Sequence, residues 1–140
     1  MTIAALQAQA MLDRALADPR QEFGSFFLAR LLGMTVSHEP RACTVELEAV
    51  PPLFNPQGSL HGGVLATAMD ISMGHLLHQA AGPGATLEIK VQYLAAVTSG
   101  LVRCRATFLR QGRTVSFLQS HATRADGVLA AHATATWRQR

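Results

Sequence analysis

Charge is scarce in this chain, and lysine scarcer still. Only 15% of its 140 residues are Asp, Glu, Lys or Arg, and Lys90 is the single lysine beside eleven arginines. So little charge on a chain that is 49% hydrophobic excludes disorder and points to surface hidden by self-association. Aromatics are few, at 6%, and there is no Lys/Arg-rich run. Arg103, Arg105, Arg110 and Arg113 form only a local cluster, so nucleic acid is not the expected partner. The two cysteines, Cys43 and Cys104, lie far apart without CxxC or metal-ligand spacing, as expected of buried free thiols in a reducing compartment. The N-terminus lacks the basic flank of a signal peptide. The longest uncharged stretch in the helical region, Ile71–Leu87, is interrupted by His75, His78, Gln79, Gly82, Pro83 and Gly84, which excludes a membrane span. No membrane partner is expected, and a cytoplasmic location follows by default.

What is present is enough for one domain over residues 1–140, with 1–20 as an N-terminal helical extension. The pattern predicts a helix over 3–17, stopped by Asp18-Pro19, and a short one over Phe23–Leu32, ending at Gly33. Met34–Val36 and Thr44–Val50 follow as strands. A Pro- and Asn-rich loop leads to Ser59, the expected N-cap of an apolar helix from about Leu60 to Ala80. In the second half the period falls to two. Thr86, Glu88, Lys90 and Gln92 alternate with Leu87, Ile89, Val91 and Tyr93, and strands follow over Leu101–Leu109, Thr114–Thr123 and Val128–Arg138. Short connections predict that consecutive strands pair antiparallel. One sheet and one apolar helix give an α+β fold in which the sheet curls around the helix, with Ala131, Ala133 and Ala135 allowing close approach.

Between Glu48 and Glu88 the only Asp, Glu, Lys or Arg is Asp70. It sits amid Ala66, Ala68, Met69, Ile71 and Met73, where burying an unpaired carboxylate costs several kcal/mol. It therefore calls for a partner, a raised pKa or a polar cleft. A solvated stripe is the plain alternative, but no other charge on the helix marks one. His61-Gly62-Gly63 falls in the helix's first turn, where main-chain N–H groups lack intrahelical partners and the dipole favours negative charge. Such a turn can hold a thioester carbonyl as it becomes an oxyanion. His61 and Asp70 are nine residues apart, about 13.5 Å along a helix. A single chain cannot easily aim both at one atom, whereas two copies related by a twofold axis can.

These residues, Asn55-Pro56-Gln57-Gly58-Ser59-Leu60-His61-Gly62-Gly63, then Asp70, then Thr86–Tyr93, resemble the PaaI-type branch of the hotdog-fold thioesterases over about residues 24–138. The resemblance implies a five- or six-stranded antiparallel sheet wrapped around the helix, in a homodimer or homotetramer that hydrolyses acyl-CoA without a cofactor. It implies Asp70 as nucleophile or general base, Asn55 as a positioner of water, the Gly62 N–H as oxyanion donor and His61 as the residue ordering the loop. Thr86 stands where relatives carry a Ser or Thr near the carboxylate. Gly63, Phe54 and Met73 are expected against the substrate, and Arg103, Arg110 and Arg113 near the CoA phosphates. One departure is Leu94-Ala95-Ala96, where relatives often have an arginine-proline pair. His75 and His78 share an i, i+3 spacing, yet no HExxH or third ligand accompanies them, so no metal is expected. The lack of a GxSxG elbow excludes a Ser-His-Asp hydrolase of the elbow type. Two alternatives are an acyl-CoA-binding sensor and a hotdog dehydratase or hydratase, whose residue spacing this chain does not match.

Overall fold

The computed structural model describes residues 1–140. Helix α1 (Ile3–Leu16) starts at Thr2, whose hydroxyl accepts from the Ala5 N–H at 3.1 Å, and buries only Met11 and Ala15. Helix α2 (Phe27–Leu31) is shorter than the sequence predicts. Glu22 and Ser25 exchange main-chain hydrogen bonds in a turn where Gly24 takes φ +85°, and a helix cannot continue through that conformation. Strands β1 (Thr35–Glu39) and β2 (Ala42–Glu48) form a hairpin, then a 3₁₀ turn (Pro51–Leu53) leads to helix α3 (Gly62–Ala81). Its N-cap is His61, not Ser59. Gly82, at φ +86°, ends it. No helix is long and apolar enough to cross a membrane.

Four long strands follow: β3 (Gly84–Tyr93), β4 (Leu101–Arg110), β5 (Val115–Arg124) and β6 (Leu129–Gln139). They complete one antiparallel six-stranded sheet in the order β1-β2-β4-β5-β6-β3. The expectation that consecutive strands pair fails at β3. Instead of lying beside β4 it pairs with β6 and forms the far edge. The segment from Leu94 to Gly100 carries the chain across: Leu94 and Ala95 donate to Ala130 O, Val97 O accepts from Leu60, and Gly100 O accepts from Ala49. With Ala96 O accepting from the Arg124 side chain at 3.0 Å, these bonds tie the crossing to the sheet and to the loop before α3 without a hairpin.

The inward face of the sheet closes on α3. Cys43, Val45 and Leu47 of β2, Val102, Cys104 and Ala106 of β4, Leu118 of β5 and Ala131, Ala133 and Ala135 of β6 meet Leu65, Met69, Met73, Leu76 and Leu77. Each large side chain buried there contributes about 1.5–3 kcal/mol. Both thiols lie in this core, and burial pushes them up to about 12, so neither is reactive at neutral pH. The alanine row lets the helix approach until the Trp137 ring lies over Gly74. A Cβ built on Gly74 would come within 2.6 Å of Trp137 Cη2.

That contact reverses an ordinary rule. Gly→Ala in an exposed helix interior gains about 1 kcal/mol, whereas Gly74→Ala is expected to cost about 1–3 kcal/mol through overpacking. Urea denaturation checks the sign, and a neutral or stabilising result contradicts the packing described here.

Candidate active site

Asp70 lies half-buried, two turns into α3 on a face turned toward the start of β3, where the Thr86 hydroxyl donates to its Oδ1 at 2.9 Å. A strict two-residue period from Glu88 would put Thr86 on the sheet's outward face, with Glu88, Lys90 and Gln92. A β-bulge between Thr86 and Glu88 changes the phase. Thr86 becomes the cross-strand partner of Trp137 on the helix side, while Glu88 accepts from the outward Thr136 hydroxyl at 3.1 Å. Bulges re-aim side chains in this way. Burial holds the Asp70 carboxyl above the usual carboxylate range, and the Thr86 hydrogen bond pulls partly against it by favouring the ionised form.

The helix N-terminus forms the second part. His61 Nδ1 accepts from the Gly63 N–H at 2.9 Å, and His61 O accepts from Val64 and Leu65. Of the first-turn donors, Gly62 N–H alone has no acceptor within the chain. The Tyr93 hydroxyl donates to Gly62 O at 2.6 Å, and its ring lies 3.1–3.3 Å from where a Gly62 Cβ would stand. Glycine at 62 is thus favoured by close approach rather than by backbone freedom, since a Cβ there would push the Tyr93 ring aside by a few tenths of an ångström. Gly62, Tyr93, Asn55, Leu60 and Leu65 border an open cavity of about 350 Å³ that the crossing segment Leu94–Val97 also lines.

The sequence-predicted residues divide between these places. Asn55, His61, Gly62 and Gly63 gather at the loop and N-terminus, and Asp70 with Thr86 about 12 Å away along α3. The Asn55 side chain closes its own loop: Oδ1 accepts from the Gln57 and Ser59 N–H groups at 2.9 and 3.3 Å, and Nδ2 donates to Ser59 Oγ at 3.1 Å. Phe54 is partly buried and bridges to Leu60. Met73, expected at the substrate, is instead fully buried, because its helix face packs directly on the sheet. Arg103 points from the outward face of β4 and bonds Glu46 at 3.1 Å, on the far side of the sheet from α3. Arg110 and Arg113 are exposed at the end of β4 and in the following turn.

His75 and His78 serve the fold. His75 Nδ1 lies 3.0 Å from Ile71 O and Nε2 accepts from the Gly24 N–H at 2.8 Å, while His78 stacks on Phe23 with ring centroids 3.6 Å apart. Burial holds His75 below its ordinary value, and the acceptor role of Nε2 requires the neutral ring. No group of three or more His, Cys, Asp or Glu is placed to hold a metal ion. Sequence reasoning missed Tyr93 as a clamp on the helix N-terminus. The signal was there: the chain's only tyrosine ends the Ile89-Val91-Tyr93 row.

Comparison with known proteins adds to this geometry. The model of the thioesterase superfamily matches residues 57–131. A protein of Saccharolobus solfataricus, SSO2140, named for an inferred esterase activity, is 34% identical over 104 residues, covering 73% of this chain and 74% of that one. Among solved structures, the BH2602 protein of Bacillus halodurans with CoA superposes with a TM-score of 0.88 at 20% identity, covering 100% of this chain and 97% of that one. A mutant of the phenylacetic acid degradation protein PaaI of Thermus thermophilus gives 0.76 at 23% identity, covering 81% and 98%. At these identities the two structures establish a shared fold.

Two opposing influences on Asp70 make a titration prediction. Removing the hydroxyl in Thr86→Val takes away the influence that favours ionisation, so the Asp70 pKa should rise further. Carbon-13 NMR of the carboxyl carbons reads this directly, and a fall or no change would break the Thr86–Asp70 pairing.

Proposed function

Because the chain belongs to the thioesterase superfamily, as its PaaI-type motif anticipates, we propose that it hydrolyses acyl-CoA thioesters to free acid and CoA, with Asp70 as the catalytic carboxylate. The observation that carries the assignment is a lone acidic side chain, half-buried on an apolar helix and held through one oxygen by Thr86. The other oxygen is left to attack the thioester carbon or to take a proton from the water that does so. The carbonyl oxygen would accept from the Gly62 N–H, where the helix dipole favours the negative charge that develops. Water adds to the carbon, Asp70 takes its proton, the C–S bond breaks, and the proton passes to the departing thiolate. Water is the only co-reactant, and the reading requires no cofactor.

Donor and carboxylate stand about 12 Å apart on one helix, too far to share one carbonyl. We therefore read the site as formed between two copies, Asp70 of one protomer facing Gly62 of the partner subunit. The exposed edge supports this. Strand β3 presents ten residues with no neighbour on one side, and Leu87, Ile89, Tyr93 and adjoining Leu94 are 57, 37, 53 and 59% exposed. An unpaired strand edge with exposed apolar side chains is a pairing surface. A homodimer is thus the least assembly the reading requires, and a homotetramer is compatible with it. Two free cysteines in the core suit a reducing cytoplasm. The CoA held by the structurally similar BH2602 supports the substrate class.

Asp70→Asn should lower thioesterase kcat by about 10²–10⁴-fold, measured as thiol release from a panel of acyl-CoAs. Retained activity removes Asp70 from the chemistry. Binding of acyl-CoA without turnover by the unaltered protein would instead indicate a sensor. Mixed dimers of Asp70→Asn and Gly62→Val chains should regain one working site of two, since one combination restores both groups. Mixed dimers as inactive as their parents would place the whole site within one chain.

A further inference from the structure

Arginine makes up nearly all the positive charge, yet its members stand in different surroundings. Arg20, Arg103, Arg105 and Arg124 each bond a carboxylate, and Arg30 bonds the main-chain oxygens of Ala15 and Arg20. Arg110, Arg113, Arg138 and Arg140 are not fully buried, and none engages an acidic side chain. The topology collects them at one end of the sheet. Arg138 pairs with Val115 across the ladder, Gln139 donates to Thr114 O at 2.9 Å and to Gly112 O at 2.8 Å, and Arg140 N–H donates to Pro83 O at 3.0 Å. The last strand is thereby tied to both the β4–β5 turn and the start of β3. Segments 82–87, 108–118 and 134–140 contain no Asp or Glu. In the ladder the nearest acid is Glu88, already accepting from Thr136. Four positive charges therefore gather at one end of a chain whose formal net charge is +3.

An independent feature lies among them. Phe117 is the cross-strand partner of Arg110 and Thr136 on the outward face of the sheet, and it is 42% exposed. Along that face of β5 it follows Val115 and precedes Gln119, His121 and Thr123, and the ring takes no part in the core that closes on α3. Exposed aromatics beside arginine are stacking platforms for nucleotide bases, and unpaired guanidinium groups are forks for phosphate oxygens. Arg110 on β4 and Arg138 on β6 flank β5, two strand spacings across the ladder and two residues along it, about 12 Å apart. That spread suits several phosphates on one molecule better than a single phosphate ion. The same end carries Thr86, and through it Asp70, on the inward side.

We propose that this strand end is a binding site for a phosphorylated adenine nucleotide, with the base on Phe117 and the phosphates on Arg110, Arg113, Arg138 and Arg140. Resting on the acyl-CoA reading above, the site would hold the nucleotide half of the substrate while the pantetheine arm turns over the end of the sheet toward Asp70. Arg138 and Arg140 are the new assignments. They make the end of β6 a determinant of substrate choice, whereas Arg103, on the outward face with Glu46, takes no part.

The test separates the nucleotide from the chemistry. Adenosine 3′,5′-bisphosphate is titrated calorimetrically into the wild type, the Arg138→Glu/Arg140→Glu double variant, its Arg→Lys counterpart, and Phe117→Ser. Acyl-CoA turnover is compared with that of the phosphate-free N-acetylcysteamine thioester of the same acid. Charge reversal should weaken nucleotide binding at least about tenfold and raise KM for acyl-CoA with little change in kcat. It should leave the N-acetylcysteamine thioester unaffected, and the lysine pair should recover part of the loss. Phe117→Ser should weaken binding with the charge unchanged, which keeps the test decisive if charge reversal prevents folding. Nucleotide affinity within twofold of wild type in both Glu and Ser variants overturns the proposal. Nucleotide binding without hydrolysis of either thioester would leave this site standing and remove the hydrolase reading. Hydrolysis of both thioesters with equal efficiency, with no nucleotide binding, would do the reverse.

Discussion

The arrangement depends on a single constraint: a carboxylate placed on a helix that the rest of the chain keeps neutral. From residue 49 to residue 87 nothing else carries a formal charge except as histidine, and α3 buries Leu65, Ala68, Met69, Ser72, Met73, Leu76 and Leu77 against the sheet. An acid in such a helix is tolerable only where a donor reaches it and solvent or a ligand has access. The Thr86 hydroxyl supplies the donor, but only because the strand slips its phase by one residue before Glu88. Without the bulge, Thr86 would face outward and the apolar Leu87 would confront the acid. The local irregularity of β3 and the chemistry of α3 are thus one feature, and the raised pKa of Asp70 records the balance between burial and that hydrogen bond.

Much of this was legible in the sequence, for reasons that can be named. The isolation of Asp70, the glycines at the helix start and the alternation of β3 are local patterns, and each led to the right element. The alanine row of β6 was visible too, and its consequence, a helix lying against the sheet, is what brings Gly74 under Trp137. What escaped depends on partners distant in sequence. The expected helix starts four residues late because Gly24 turns at positive φ and gives its N–H to His75, 51 residues away. The phase of β3 looked unbroken because one bulged residue leaves the composition of a strand unchanged. Strand order escaped for a similar reason: Leu94–Gly100 is short enough for a hairpin, yet its donors find Ala130 rather than β4. Met73 has the composition of a pocket residue and the position of a core residue, and only packing separates the two.

Tyr93 ties the edge strand to the start of α3. Its hydroxyl fixes Gly62 O and its ring covers the glycine's Cα, so the helix N-terminus is held in place by the last residue of the edge strand. The first residues of that same strand hold Asp70 through Thr86. Strand β3 therefore positions both the acid and the amide, one at each end, while α3 keeps them about 12 Å apart. A strand that braces two halves of a site it cannot itself bring together is well placed to lie on a twofold axis. Antiparallel pairing of two such edges would run the start of one β3 beside the end of the other, which sets Thr86 and Asp70 of one protomer toward Tyr93 and Gly62 of the partner subunit.

Scarcity of charge then acquires a physical reason. A buried acid is tuned by its nearest neighbours, and stray charges within a Debye length of about 10 Å would compete with Thr86 for control of it. The chain keeps α3 free of other charge, pairs four of its arginines with carboxylates, and leaves unpaired guanidinium groups at the strand end beyond the Asp70–Thr86 pair. Arginine, always ionised and able to fork onto two oxygens, suits that position better than lysine. On the proposed reading, a long-range positive field at that end would draw anions toward the site, while the inward-facing donor next to Asp70 stays an uncharged hydroxyl. Attraction and proton transfer would then fall to different residues. A thioester reactive enough to need only a polarised carbonyl and one carboxylate can be held by charges that never touch the reacting carbon.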